Sequence, residues 1–105
     1  MKIIETSIFT KKIISLLKDE EYRNLQNDLI LNPEIGNVIS GSGGLRKMRW
    51  GILGKGKRGG IRVIYYWLDK KEILLLLLAF PKNEQEDLTS EQLKVLKKIV
   101  EKELQ

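Results

Sequence analysis

Seven lysines and arginines lie between Ile35 and Leu68: Arg46, Lys47, Arg49, Lys55, Lys57, Arg58 and Arg62. No aspartate or glutamate interrupts them. The chain as a whole carries +5, so this segment's +7 leaves −2 for the rest. Basic charge segregated in this way suits contact with a polyanion. Within the segment, GKGKRGGIR at 54–62 mixes four glycines with four cations. Glycine lets a backbone come close to phosphate, and lysine and arginine supply the attraction. The run is not a nucleotide P-loop, because no Gly-Lys-Ser/Thr follows and no helix start succeeds it. A solvated strand face or a mobile basic loop would account for the charge equally well at this point.

The inventory narrows the chemistry. The chain has no histidine and no cysteine, which removes the usual general base, the commonest metal ligands and any disulfide. No metal and no cofactor is expected. Catalysis, if present, must run on lysine, arginine, tyrosine, carboxylates or hydroxyls. The most apolar window, ILLLLLAF at 73–80, is far short of the about 20 residues a membrane helix needs, so it reads as a buried strand. No signal-peptide-like run opens the sequence, and a cytoplasmic protein without membrane contact is expected.

The elements that must position the cations can be read from periodicity. The 105 residues suit one domain, 1–105. KIIET at 2–6 reads as a first strand. Ser7 is a candidate cap for a helix carrying Phe9, Ile13, Ile14, Leu16 and Leu17, and Asp19 for a second helix that Pro33 terminates. Residues 36–44 read as loop. In LRKMRWGI, Met48, Trp50 and Ile52 alternate with Lys47, Arg49 and Gly51, as in a half-buried strand whose other face is basic. LGKGKRGG then connects to IRVIYYWL, and Asp69-Lys70-Lys71 turns into EILLLLLAF. Three strands joined in succession make an antiparallel meander. Thr89 and Gln92 match a capping box for a last helix. The sum is an α+β fold: a small antiparallel sheet with two N-terminal helices and one C-terminal helix.

GGLRKMRW, GKGKRGGIRVIYYWLD and FPKNEQEDLT, taken together, resemble the RelE/ParE toxin superfamily, and most closely the RelE-like messenger-RNA interferases of the HigB branch. The resemblance runs over nearly the whole chain. It implies the toxin of a type II toxin–antitoxin system, a ribosome-dependent endoribonuclease that cuts messenger RNA in the A site and so inhibits translation. It implies three partners: the 70S ribosome, messenger RNA, and a cognate antitoxin, commonly one with a helix-turn-helix DNA-binding domain. An antitoxin is expected to cover the basic surface or to block ribosome entry.

The residue inventory is compatible with that chemistry. Metal-free RNA cleavage needs a 2′-hydroxyl to lose its proton and attack phosphorus, and a proton for the departing 5′ oxygen. Arginine stays charged and grips phosphate oxygens in a fork. Lysine can move protons when crowding by like charge lowers its pKa, and seven cations without a carboxylate among them make such crowding plausible. By resemblance, Arg62 matches the arginine that binds the scissile phosphate, Lys47 and Arg49 match the basic strand of the active surface, and Lys82 matches the site-forming end of the last strand. These four are the catalytic candidates. Lys55, Lys57, Arg58, Arg46 and Asn83 are the candidates for holding messenger or ribosomal RNA. The chain departs from the RelE pattern in two places: Asn83 stands where a further arginine is expected, and Leu88 or Thr89 stands near a tyrosine position. Tyr65 and Tyr66 read as strand core before they read as base-stacking platforms. Two rival readings share the charge pattern: a ParE-like gyrase inhibitor, and a non-catalytic RNA-binding module.

Overall fold

The run Leu74-Leu75-Leu76-Leu77 is buried throughout, and a strand can bury consecutive residues only when both of its faces are covered. The computed structural model shows how. It describes residues 1–52 and 56–104, with backbone alone for 52 and 56–59. The elements in chain order are β1 (Lys2–Glu5), α1 (Ser7–Leu16), α2 (Asp19–Leu31), β2 (Asn37–Val38), β3 (Arg46–Ile52), β4 (Gly56–Leu68), β5 (Ile73–Pro81) and α3 (Ser90–Leu104). The strands form one sheet in the order β1-β5-β4-β3-β2. On one face Met48, Ile61, Val63, Tyr65, Leu74, Leu76 and Ala79 pack against Phe9, Ile13 and Leu17 of the α1 region and Leu25 and Leu29 of α2. On the other face Leu45, Ile64, Leu75, Leu77 and Phe80 pack against Leu96 and Val100 of α3.

The expected α+β architecture and the β3-β4-β5 meander are both present. The sheet is mixed rather than wholly antiparallel, because β1 runs parallel to β5 from Lys2↔Ile73 to Glu5↔Leu76. A second difference lies in 36–44, read as loop: Asn37 and Val38 form β2 against Lys47 and Arg46 of β3. Two residues are too few to leave an alternation in sequence. A third lies in the glycine-rich connection. The β4 backbone begins at Gly56, paired with Ile52 after a register shift beyond Trp50, so most of the basic run is strand. Glycine is well suited to such an irregular ladder. Leu53, Gly54 and Lys55 lie outside the described residues.

Two helix starts sit one residue earlier than the expected caps. Thr6 caps α1, its Oγ1 accepting from the Phe9 N–H at 3.0 Å while donating to the Leu77 carbonyl at 2.8 Å. One hydroxyl therefore closes the helix end and ties it to β5. Lys18 is the cap position of α2, and its N–H donates to Glu21 Oε1 at 3.1 Å. Asp19 is instead the first helical residue, where with Glu20 and Glu21 it complements the helix dipole.

Candidate nucleic-acid interface and catalytic pocket

On β3 the alternation does what the sequence implies. Met48 is buried against the helical layer, so Lys47 and Arg49 leave the opposite face. Trp50 is half-buried, its indole N–H held by Asp28 Oδ2 at 3.1 Å. The ladder places Arg49 directly opposite Arg62 of β4, and Arg62 opposite Phe80 of β5. Two arginines facing each other across a ladder repel. α3 packs on this sheet face around Ile64, Leu75, Leu77 and Phe80, while Arg49 on the same face is exposed.

Arg62 is only 5% exposed. Its one hydrogen bond among the described residues is long, Nη1 to the Ile61 carbonyl at 3.5 Å, and none of the described ion pairs includes it. A charge withdrawn from water without an anion is costly. It borders a cavity of about 270 Å³ lined by Arg49, Trp50, Gly51, Gly60, Arg62 and Lys82. Lys82 is set there by backbone: its N–H donates to the Gly60 carbonyl at 3.2 Å, just past the end of β5. Three of the four catalytic candidates therefore share one cavity.

Lys47, the fourth, lines an adjoining groove of about 600 Å³ with Ile35, Asn37, Val38, Ile39, Ser40, Met48, Arg49 and Asp87. Arg49 borders both spaces. The ammonium of Lys47 is paired with the Asp87 carboxylate. That hydrogen bond, then the Lys47 charge, with smaller contributions from Arg49 and Arg62, holds Asp87 below the ordinary aspartate range. The basic surface is thus not free of carboxylates, as the segment 35–68 alone implied.

Asp87 is the residue the sequence reading missed. It belongs to the loop between β5 and α3, and that loop is pinned. Gln85 Nε2 donates to the Asp87 carbonyl and to Gln92 Oε1, both at 2.9 Å. Gln92 in turn closes the expected capping box with Thr89: the Thr89 N–H donates to Gln92 Oε1 at 3.0 Å, and the Gln92 N–H to Thr89 Oγ1 at 3.1 Å. The α3 start therefore fixes the backbone that carries the carboxylate.

The remaining candidates are placed otherwise. Arg46 is a clip: its Nη1 donates to the carbonyls of Gly36 at 2.8 Å and Glu34 at 3.2 Å, and Nη2 lies 3.7 Å from the Glu34 carboxylate. It is not brought together with Arg49 and Arg62. Asn83 is exposed in the loop after β5. Lys57 and Arg58 lie on the β4 backbone, Lys55 lies outside the described residues, and the side chains of all three stand outside the description. Tyr65 is fully buried, its hydroxyl donating to the Pro33 carbonyl at 2.7 Å and accepting from the Gly36 N–H at 2.9 Å. Tyr66 packs against the α3 cluster, so both tyrosines serve the core.

Among the described residues no group of three or more potential ligands could hold a metal ion, and no helix is long and apolar enough to cross a membrane. What the pocket offers is two guanidinium groups, one of them buried, and a lysine around a space large enough for a phosphodiester. The free-state structure of a mutant E. coli toxin RelE shares the fold, with a TM-score of 0.58 and 16% sequence identity over 81% of this chain and 86% of that one. The family described as RelE toxin of the RelE/RelB toxin–antitoxin system matches residues 1–105. The chain belongs to the RelE toxin family.

Proposed function

We propose that this toxin is a ribosome-dependent endoribonuclease that cuts messenger RNA in the A site, with the scissile phosphate held in the pocket of Arg49, Arg62 and Lys82. The observation that carries this reading is Arg62: a guanidinium 5% exposed, outside every described ion pair, bordering a cavity with two more cations. A charged group with little solvent and no ion pair of its own, bordering a cleft, is a candidate for binding an anionic ligand.

The chemistry follows from the groups present. The 2′-hydroxyl gives its proton to solvent water, and its oxygen bonds to the adjacent phosphorus. The P–O5′ bond breaks, and the 5′ oxygen takes up a proton. The products are a 2′,3′-cyclic phosphate and a 5′-hydroxyl. Arg62, with Arg49 opposite, stabilises the additional charge on the pentavalent phosphorus; fixed donors aimed at developing charge are usually the largest catalytic contribution. Lys82 lines the same cavity and is assigned here to protonate the leaving oxygen. Nothing in this scheme requires histidine, which the chain lacks.

The test uses a ribosome-bound message with a single 2′-deoxynucleotide at the cut site. Cleavage is expected to stop at that codon only, and the unmodified message to yield cyclic phosphate ends. Cutting that persists through the 2′-deoxynucleotide would overturn the mechanism.

A further inference from the structure

Lys47 and Arg49 stand two positions apart on one strand face, about 7 Å along the chain. That is close to the distance between successive phosphates of an extended single strand. Arg49 borders the pocket assigned above to the scissile phosphate, and Lys47 does not. The groove on the Lys47 side has a basic floor and an apolar rim, where Ile35 and Val38 are 45% and 55% exposed. A phosphate with its attached nucleoside matches that combination. At the point where such a phosphate would sit, the protein places a carboxylate of its own.

Resting on the nuclease reading, we infer that Lys47 and Arg49 form a second anion subsite for the phosphodiester next to the scissile one, and that Asp87 fills this subsite until the messenger strand displaces it. Three observations converge. Asp87 pairs with Lys47 across 40 residues of sequence, on a loop whose backbone Gln85 and the α3 cap hold in place. Its carboxylate is 74% exposed, so the pair adds little to folding stability and the carboxylate can swing out. Its charge feels Arg49 and Arg62 as well as Lys47, as a phosphate in that place would.

The experiment measures binding without cleavage. Isolated toxin is titrated with 2′-deoxy-substituted dinucleotide, which has one phosphodiester, and trinucleotide, which has two, across a series of salt concentrations. Asp87→Asn is expected to bind the trinucleotide about two- to tenfold more tightly, because the exposed ion pair it loses is worth up to about a factor of five and carboxylate–phosphate repulsion goes with it. Its salt slope is expected to steepen by about 0.7, the increment for one more counterion released from a single strand. Dinucleotide affinity should stay within twofold, and Lys47→Gln in the Asp87→Asn background should abolish the gain. Unchanged or weaker trinucleotide binding by Asp87→Asn would overturn the inference, as would an equal gain for both ligands. Because cleavage plays no part in this readout, the nuclease reading fails separately, in the ribosome assay.

Discussion

Arg62 gives the sharpest expectation, because its contributions to folding and to function have opposite signs. Arg62→Met keeps most of the side-chain volume and removes the charge. The guanidinium is 5% exposed, outside every described ion pair, and directly opposite Arg49 in the ladder. Replacing a buried ion pair by apolar side chains of similar volume is often neutral or stabilising by about 1–4 kcal/mol, and Arg62 has no described ion-pair partner to leave behind. One side of Arg62 borders a cavity, which lowers its desolvation cost, so the lower half of that range applies. Relief of the cross-strand repulsion adds a few tenths of a kcal/mol. A gain of about 1–2 kcal/mol raises Tm by roughly 4–10 °C for a domain of this size. Urea denaturation at fixed salt should show the midpoint moving up with the m-value unchanged. Cleavage of ribosome-bound message should fall by about 10²–10³, as when a single transition-state donor is removed. A variant destabilised by 1 kcal/mol or more would refute the reasoning, since Arg62 would then be holding the sheet together rather than waiting for a ligand.

Two further outcomes test the scaffold. Tyr65→Phe leaves the Pro33 carbonyl and the Gly36 N–H without their partner, and should cost about 2–3 kcal/mol in denaturant unfolding; a loss under 0.5 kcal/mol would mean that the hydroxyl does not anchor the 33–36 segment. Alkaline titration probes Tyr22 and Tyr65, both pushed above the ordinary tyrosine value of 10.0, chiefly by burial and for Tyr22 also by the Glu5 carboxylate that accepts its hydroxyl. Above about pH 10 the unfolded chain gives up these protons while the folded one keeps them, so stability is complete below that pH and declines as pH rises. Tyr22→Phe should flatten the decline seen in urea midpoints between pH 9 and 11, and an unaltered slope would contradict the assignment.

Much of this arrangement is legible in the residues themselves. The alternation of Lys47 and Arg49 with Met48 and Trp50 is a local property, and it fixes which face the cations leave. The Thr89–Gln92 box is equally local, and α3 starts where it says. The features that escape reading are set by contacts distant in sequence. Thr6 rather than Ser7 caps α1 because its hydroxyl also reaches Leu77, 71 residues away. β1 lies parallel to β5 because the chain returns to it only after the meander, and no local pattern encodes that return. Asp87 is one of three carboxylates in NEQED, and nothing in that string distinguishes it from Glu84 or Glu86. The choice is made by the fold, which turns Glu84 toward Lys12 and Asp87 toward Lys47.

The measurement that bears most directly on the central claim is primer extension on a defined message, with purified toxin, in the presence and absence of translating ribosomes. Cuts confined to A-site codons, seen only with ribosomes and lost in Lys82→Ala and Arg62→Met while both variants remain folded, are the expected result. Ribosome-independent cuts, no cuts at all, or full activity in either variant would contradict a ribosome-dependent nuclease built on the Arg49, Arg62 and Lys82 pocket.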